Sequence, residues 1–517
     1  MKKVLALFAA ICVFATAHMS YAQEVRKDLT FAFFRDMESL SPHTTAGEMW
    51  FQEAVYETLV SVENSGIEPC LAESWEISED GRTYTFHMRK GVKFTDGVVM
   101  DAYVIEKNFD NIFKDKNSLK WLESINLTES YKALDADTFQ VVLKQSYYPY
   151  LTELGITRPY AIGSPSIFVE GEPRKVTGAV GTGPYYLADR KLGEYVVMKA
   201  NKDYWGPKAT IETVTMKVIP EGQTRVMALE NGEIDMVFGI NVVDAATIQI
   251  YKDSQHIKYA LSTPTLTKHF VINSHLPGLN DINVRKAIQH AIHKEAIAQG
   301  LYYGIEKPAD ALFSPTIPYC DVDLKPYEYD MDKAAKLLDD AGWVMGKDGI
   351  RAKDGVKLSF TAIYDNNSVT CKPIFEFLQS ELDELGIHLK LAGYERSTYF
   401  DMQKGGTFDI IMGVPWGQPY DPHTALSSFR APSYGDHKAI SGLPNGQVIF
   451  DEIQDFITEV DPELRQEKIA KVLTDIHEGA THVPLVYESN KSIFISDIKE
   501  VTFAPSPYVF QFWNWRY

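Results

Sequence analysis

Strand-like and helix-like patterns of apolar and polar residues alternate along the whole chain. In the RTYTFHM segment, residues 82–88, apolar and polar residues alternate with the period of a half-buried strand. From residue 282 to residue 299 the apolar residues instead recur every three or four positions, which predicts one amphipathic helix. Strands and helices that alternate in this way need crossover connections, so the pattern predicts an α/β fold.

The same patterns predict the other elements of this fold. We expect strands at residues 29–34, 138–143, 185–187, 269–272, 358–364, 388–391 and 483–487. We expect helices at residues 102–113, 331–341, 372–385 and 462–477, and a helix that runs into a strand-like end at residues 49–61. A chain of 517 residues with this content normally divides into two or more lobes.

The first 22 residues have the pattern of an export signal. Two lysines precede an apolar run from Val4 to Ala17, and Ser20-Tyr21-Ala22 is a small-x-small cleavage site. The apolar run is too short to span a bilayer. Ile11 is too bulky to precede the lipid-modified cysteine of a lipoprotein, which argues against an anchor at Cys12. We therefore expect residues 1–22 to be removed and a soluble periplasmic protein without a lipid anchor to remain.

Charge and cysteine content exclude several classes of protein. The formal net charge is −19, and an acidic chain without a basic tract is a poor binder of nucleic acid. Beyond the signal the cysteines are Cys70, Cys320 and Cys371, an odd number without a CxxC pair. A disulfide scaffold and a thiolate metal site are therefore not expected, and the pairing state of the three thiols stays open.

Histidines give little sign of a metal site in the sequence. His290 and His293 are three residues apart on a predicted helix, but no third ligand is near, so we interpret them as a solvated helix face. We expect no tight cluster of histidine and aspartate. A secreted hydrolase is also not indicated, because neither a G-x-S-x-G elbow nor an H-E-x-x-H helix is present.

The segment from residue 415 to residue 437 carries the most chemistry. Three prolines and a glycine exclude a regular helix or a central strand over its first part, which holds Trp416 and Tyr420. Arg430, Tyr434 and His437 follow on what we expect to be a loop. Aromatic rings, a cation and an imidazole on turn-rich backbone are typical of a pocket wall for a small polar or metal-containing ligand. The alternative is a surface connection whose rings only pack.

Six phrases distributed over the chain resemble one known family. They are LAESWEISEDGRTYTFHMRKGVKFTDG from residue 71, VGTGPYYL from 180, NKDYWG from 201, NGEIDM from 231, VRKAIQHAIHKEAI from 284 and YDMDKAAKLLDDAGW from 329. They are similar to the peptide- and nickel-type solute-binding proteins of ABC importers. The resemblance implies a two-lobed periplasmic binding protein fold with a hinge and a ligand cleft between the lobes. Residues 23–264 with 488–517 would form lobe I, and residues 265–487 would form lobe II.

Within this family the pocket segments resemble the nickel-binding branch. The resemblance makes Arg158 the anchor for the carboxylate of a small metal chelator. It implies further ligand contacts at Trp121, Trp416, Tyr420, Met49 and Tyr434. Tyr434 stands where a metal-ligating histidine is found in the best-known nickel binder, so we expect His437, three residues later, to be the metal ligand.

The resemblance and the residues together predict a nickel transport protein. Nickel would arrive as a complex with a small chelator such as histidine, because the chain offers few metal ligands of its own. The predicted partners are the chelator and the membrane permease subunits of an ABC importer, with the binding protein itself a monomer. The alternatives are an oligopeptide, dipeptide or haem binder of the same family. Gln418 argues against peptides, since peptide binders have an aspartate there that pairs with the peptide amine.

Overall fold

The computed structural model describes residues 26–44, 47–239, 242–366, 368, 370–413, 422–432, 435–506 and 508–517. The predicted export signal lies outside these ranges. So do Trp416, Gln418, Tyr420 and Tyr434. Among the helices of the described ranges, none is both long enough and apolar enough to cross a membrane.

Twenty-two strands and sixteen α-helices alternate along the described chain. The strands are β1 Asp28–Phe33, β2 Val60–Glu63, β3 Gly66–Pro69, β4 Ala72–Ile77, β5 Thr83–Met88, β6 Thr128–Ala133, β7 Thr138–Leu143, β8 Phe168–Val169, β9 Glu172–Val176, β10 Tyr185–Lys191, β11 Tyr195–Ala200, β12 Thr213–Val218, β13 Met236–Phe238, β14 Ile257–Ile272, β15 Lys307–Pro308, β16 Val344–Met345, β17 Arg351–Lys353, β18 Val356–Lys357, β19 Ser359–Asp365, β20 His388–Tyr394, β21 Ile410–Gly413 and β22 His482–Ile495. The helices are α1 Met49–Val55, α2 Ala102–Lys114, α3 Glu123–Leu127, α4 Tyr150–Leu154, α5 Thr157–Tyr160, α6 Gly222–Glu230, α7 Ala245–Tyr251, α8 Ile282–Ala291, α9 Lys294–Gly300, α10 Met331–Asp340, α11 Cys371–Glu384, α12 Arg396–Gly405, α13 His423–Phe429, α14 Gly435–Ser441, α15 Gly446–Thr458 and α16 Pro462–Gly479.

One large mixed sheet runs through the molecule. Its strand order is β10-β11-β12-β1-β13-β22-β14-β21-β19-β20, and β15 pairs with β22 at the side. The pairs of β1 with β12 and β13 are parallel, as are the pairs of β19 with β20 and β21. Helices therefore connect these strands, as the alternating pattern predicts. A second sheet, β4-β5-β7-β6, is antiparallel and carries the alternating RTYTFHM strand.

Two long antiparallel strands, β14 and β22, occupy the middle of the large sheet. Their pairing extends from Ile257 opposite Ile495 to Val271 opposite His482, with three register shifts between. At one end β22 also pairs with β13, and at the other end β14 also pairs with β21. A strand of 16 residues is about 50 Å long. The two strands therefore connect the first half of the sheet to the second.

Three large hydrophobic clusters form most of the core of the described chain. One combines β1 and α1 with the chain's C-terminal residues, and a second lies between α8, α10, α11 and the β14–β21–β19 strands. The third combines the second sheet with α13, α15 and α16. The expected lobe I and lobe II therefore share an apolar contact, because the residues of α13, α15 and α16 belong to the expected lobe II. The exact lobe boundaries stay a prediction.

Most predicted elements are confirmed, and three of them differ most in extent. The strands predicted at residues 269–272 and 483–487 are the ends of the much longer β14 and β22. The helix predicted over residues 282–299 is broken into α8 and α9. Ile292 is extended (φ −95°, ψ 115°), and the N–H of His293 donates to both carboxylate oxygens of Glu381 at 3.2 Å. A partner from α11 thus stabilises a break that the helical periodicity conceals.

A buried ion pair connects the two long strands. Lys268 Nζ on β14 lies 3.3 Å from Glu488 Oε1 on β22, and their side chains are 6% and 10% exposed. Burial lowers the pKa of the Lys268 ammonium, but the charge of Glu488 outweighs it, so the net pKa is raised. Burial raises the pKa of Glu488, and Lys268 and Lys491 together lower it below its usual value. Both groups are therefore charged at neutral pH.

Removing one member of this pair should destabilise the protein more than removing both. Lys268→Met leaves the Glu488 carboxylate buried without its main partner, and we expect the free energy of unfolding to fall by about 3 kcal/mol. The double variant Lys268→Met/Glu488→Leu replaces both charges with apolar groups and should recover most of that loss. Urea unfolding monitored by circular dichroism measures both values.

The matched control is the exposed pair formed by Lys336 and Asp340, whose side chains are 73% and 63% exposed. Lys336→Met should change the free energy of unfolding by less than about 0.5 kcal/mol. If Lys268→Met is as stable as the parent, the buried pair does not hold the two strands together.

Candidate functional site

Arg158 lies beside the start of α1. It is in α5 but has extended backbone angles (φ −116°, ψ 117°), and its Nη1 donates to the backbone oxygen of Gly47 at 2.7 Å. The neighbouring Glu48 forms an ion pair with Arg35 at 2.6 Å. Burial lowers the pKa of the Arg158 guanidinium, and the charge of Glu48 partly opposes this. Because the ordinary pKa of arginine is so high, the group remains a cation at neutral pH.

Met49, two residues after Gly47, is the first residue of α1 and is 7% exposed. It packs against Ala504 and Val509 near the C-terminus. Met49 also lines a cavity of about 290 Å³, together with Thr157, the residue before Arg158. The structure therefore brings Met49 and Arg158, two of the residues predicted for ligand contact, to the same place.

Glu53 lines the same cavity one turn after Met49 on α1. It accepts a hydrogen bond of 2.9 Å from the Thr157 hydroxyl. Burial, with a smaller contribution from the charge of Glu63, raises the pKa of the Glu53 carboxyl to about 8, although the Thr157 hydrogen bond opposes this. The sequence analysis missed Glu53. The one indication of Glu53 in the sequence was its position four residues after Met49 on the predicted helix, which places both side chains on one face.

Trp121 lies just before α3 and is 36% exposed, between the buried side chains of Leu119 and Leu122. An indole with this exposure beside buried neighbours can stack on a ligand. It is not among the described residues that line the cavity at Met49. The structure therefore presents Trp121 on the surface and does not join it to Arg158 through that cavity.

The segment that carries Trp416, Gln418 and Tyr420 lies outside the described residues, as does Tyr434. The chain before it ends in β21, and the chain after it begins with α13. His423, the first residue of α13, is fully buried, and its Nε2 lies 3.9 Å from Glu153 Oε1 on α4. His423 is therefore a packing residue that contacts the expected lobe I.

His437 lies in helix α14, so the prediction that it lies on a loop was wrong. Its ring stacks on Phe450 with the ring centres 5.1 Å apart and the planes 16° apart. The Nδ1 atom is buried without a hydrogen-bond partner among the described residues. Burial and the nearby charges of Lys438 and His275 lower the pKa of His437. The imidazole is therefore neutral at neutral pH, as a metal ligand must be.

The prediction of a solvated helix face at His290 and His293 was also wrong. His290 is 4% exposed, and its Nδ1–H donates to the backbone oxygen of Glu328 at 2.6 Å. His293 precedes α9, and its ring stacks on Tyr329 with the ring centres 4.4 Å apart. Both rings are engaged in packing between elements, and they do not form a metal site together.

A histidine and aspartate cluster is present elsewhere, contrary to the expectation from sequence. His269, Asp436 and His482 come from β14, α14 and β22, and one ligand atom from each lies within 4.8 Å of the other two. Burial raises the pKa of Asp436, but the two imidazoles outweigh it and hold the pKa well below its usual range. The positions are 167 and 46 residues apart in sequence, so no motif indicates the cluster.

All three mature cysteines, Cys70, Cys320 and Cys371, are buried free thiols in the described structure. Burial raises the pKa of the Cys70 and Cys371 thiols, which makes them poor thiolate ligands. Their free state agrees with the expectation that the chain has no disulfide scaffold.

The fold agrees with what comparison with known proteins shows. The model of the bacterial extracellular solute-binding proteins, family 5, matches residues 66–436. The chain belongs to this family, whose members bind solutes, and it has the two-lobed α/β fold of periplasmic binding proteins.

Individual relatives resemble the chain over nearly its whole length. It is 35% identical to the nickel-binding periplasmic protein of Escherichia coli (strain K12), over 96% of both chains. The crystal structure of NikA from Brucella suis in complex with Fe(III)-EDTA superposes with a TM-score of 0.91 at 36% identity, covering 94% of this chain and 99% of that one. The dipeptide-binding protein of Escherichia coli (strain K12) is 28% identical, over 78% of this chain and 79% of its own.

The raised pKa of Glu53 gives a prediction for stability against pH. A carboxyl that binds its proton more tightly in the folded chain contributes stability that is lost as pH rises from about 4.5 to about 8. Glu53→Gln keeps an acceptor for Thr157 and cannot ionise. Between pH 5 and pH 8.5 the parent should lose more free energy of unfolding than the variant, by on the order of 1–2 kcal/mol. Urea unfolding at both pH values measures this difference.

Glu172→Gln is the control, because Glu172 is exposed and lies on a different element. It should leave the pH dependence of the parent unchanged. A Glu53→Gln variant with the same pH dependence as the parent would show that Glu53 is ionised normally in the folded protein.

Proposed function

We propose that this protein binds nickel, as a complex with a small carboxylate chelator, and delivers it to an ABC importer. The single observation that carries this proposal is the half-buried Arg158 cation, whose guanidinium donates to Gly47 and whose neighbour Thr157 lines the cavity at α1 together with Met49. In the resemblance to the nickel-binding branch, this arginine is the anchor for the chelator's carboxylate. The 35% identical relative is named for nickel, and the Brucella suis relative was crystallised with a metal chelate.

The chemistry of Arg158 suits a carboxylate. The guanidinium carries five N–H donors in a planar fork, a geometry that can hold a carboxylate with two parallel hydrogen bonds. Its partial burial strengthens those bonds, because water competes less for the donors. Lysine in its place would keep the charge and lose the fork.

A chelate accounts better for the cleft than a bare ion does. The residues predicted to contact the ligand are an arginine, a methionine, two tryptophans and two tyrosines, which together offer a metal few donors. A chelator such as histidine supplies most donors itself, and Trp121, Trp416 and Tyr420 would enclose it. His437 would then add one imidazole.

We further propose that the protein works in the periplasm after residues 1–22 are removed, as a monomer that docks on permease subunits. The family's role as extracellular solute-binding proteins supports this location. Binding of dipeptides is the competing proposal. The 28% identical dipeptide-binding relative supports this alternative. Against it, residue 418 is a glutamine, which has no carboxylate to pair with a peptide amine.

Calorimetry with Arg158 variants tests the proposal. With the parent protein, we expect binding heat only when nickel and histidine are present together. Arg158→Ala should weaken this binding by on the order of 2–5 kcal/mol, because a buried charge-assisted pair is lost. The affinity of the Arg158→Lys variant should lie between that of the parent and that of Arg158→Ala. Histidine alone should bind weakly, because the metal completes the ligand.

The matched control is Arg82→Ala, since Arg82 is a partly exposed arginine of the second sheet that pairs with Glu129. This variant should bind the chelate as the parent does. Equal, tight binding of unrelated tripeptides without metal would overturn the proposed cargo. Unchanged chelate affinity in a folded Arg158→Ala variant would leave the cargo standing and make Arg158 a structural residue.

The proposed ligand role of His437 has its own test. Because the imidazole would supply one ligand to the metal, His437→Ala should both weaken nickel–histidine binding and change the nickel absorption spectrum. His275→Ala is the control, because His275 lies close enough to influence the charge state of His437 and is hydrogen-bonded to Ser441. A spectrum that His437→Ala leaves unchanged would show that the chelator and solvent fill the coordination sphere.

A further inference from the structure

His269, Asp436 and His482 meet where the two long strands enter the second half of the large sheet. His269 is near the end of β14, His482 begins β22, and Asp436 is the second residue of α14. His269 and His482 are 1% and 3% exposed. Neither histidine is among the residues predicted for the ligand cleft, so the cluster needs an explanation of its own.

The two imidazoles direct the same nitrogen at one carboxylate. His482 Nε2 lies 3.1 Å from Asp436 Oδ1, and His269 Nε2 lies 3.9 Å from the same oxygen. The second distance is too long for a hydrogen bond. Accordingly, His269 Nε2 is a buried nitrogen without a hydrogen-bond partner among the described residues. A buried polar atom in this state costs free energy unless something binds it.

The other nitrogen of His269 fixes which atom is available. Nδ1 lies 3.1 Å from the backbone oxygen of Thr267, and since a carbonyl only accepts, Nδ1 carries the proton. In the neutral ring, Nε2 then presents a lone pair to the Asp436 carboxylate. A histidine that donates from one nitrogen to a carbonyl while the other faces a carboxylate has the arrangement of a metal ligand with its supporting contact.

The packing around the cluster is compatible with a small cation and keeps bulkier groups out. Gly413 is the last residue of β21. Glycine is favoured at this position because a side chain would collide with His269 Nε2. The Phe429 ring stacks on His482 with the ring centres 5.3 Å apart and the planes 9° apart. The rings are thereby held in place with little room for rearrangement.

We propose that His269, Asp436 and His482 form a second site, in which the protein's own side chains bind one bare divalent transition-metal ion. Two imidazoles and one carboxylate suit Zn²⁺ or Ni²⁺, whereas Mg²⁺ and Ca²⁺ prefer oxygen ligands alone. The site differs from the proposed cleft in its chemistry, because it needs no chelator. The ion joins β14, β22 and α14, and so fixes the helix that carries His437.

Metal titration in the absence of chelator tests this site. Full-length mature protein is stripped of metal, separated from the stripping agent by gel filtration and titrated with Zn²⁺ and, separately, Ni²⁺ against a chromophoric indicator. One ion per chain should be taken up. Asp436→Asn and His269→Gln, which nearly keep the size of each side chain, should each weaken uptake by at least about tenfold. Zn²⁺ should also raise the unfolding temperature of the parent and not that of the variants.

Two controls separate this site from the cleft and from general damage. His275→Ala removes a nearby imidazole outside the cluster and should leave uptake unchanged. Arg158→Ala should lose nickel–histidine binding and keep bare-metal uptake, while Asp436→Asn should do the reverse. The proposed cleft function can therefore fail while this site stands, and this site can fail while the cleft function stands.

Co²⁺ added to the parent gives a readout that needs no variant. Ligation by two imidazoles and a carboxylate should give d–d absorption bands of a nitrogen- and oxygen-ligated ion, and X-ray absorption at the metal edge should show two imidazoles. A parent that takes up no metal without a chelator overturns the proposal. Uptake that Asp436→Asn and His269→Gln leave unchanged, with both variants folded, overturns it as well.

Discussion

The pairing of β14 with β22 is the constraint on which the rest of the structure depends. These two strands pair over nearly their whole length, with β13 beside one end and β21 beside the other. All backbone coupling between the two halves of the large sheet passes through them. The ion pair of Lys268 with Glu488 crosses the same interface, where low exposure makes an unpaired charge costly. Any bend between the two halves of the large sheet therefore involves these two strands.

The proposed cleft and the proposed metal site relate differently to these strands. Arg158 and Met49 belong to short helices of the first half, held by the bond to Gly47 and by packing on the C-terminal residues. His269 and His482 instead lie on the long strands themselves, where the second half begins. Cargo bound at Arg158 would therefore contact the first half directly. A metal at His269 would act within the second half, on α14.

Two kinds of metal recognition follow from the donors available. At Arg158 the protein offers a planar cation and aromatic surface, which recognise the organic part of a chelate and leave coordination to the chelator. At His269 it offers two imidazoles and a carboxylate, which coordinate an ion directly. The two imidazoles hold the pKa of Asp436 low against the effect of burial, whereas burial itself is the main cause of the lowered pKa of His437.

The sequence by itself determined the elements whose signals are local. Strand β7 has the predicted bounds, and α16 begins at Pro462 after Asp461, which accepts hydrogen bonds from the first-turn N–H groups. The pair of Met49 and Arg158 followed from a family resemblance. Tertiary structure alone decided the length of β14, because pairing with β22 extends it beyond its apolar end. It also decided the break at His293, which depends on Glu381, and the meeting of His269 with Asp436 and His482. Each depends on contacts between residues far apart in the chain, and periodicity in a short window cannot report such contacts.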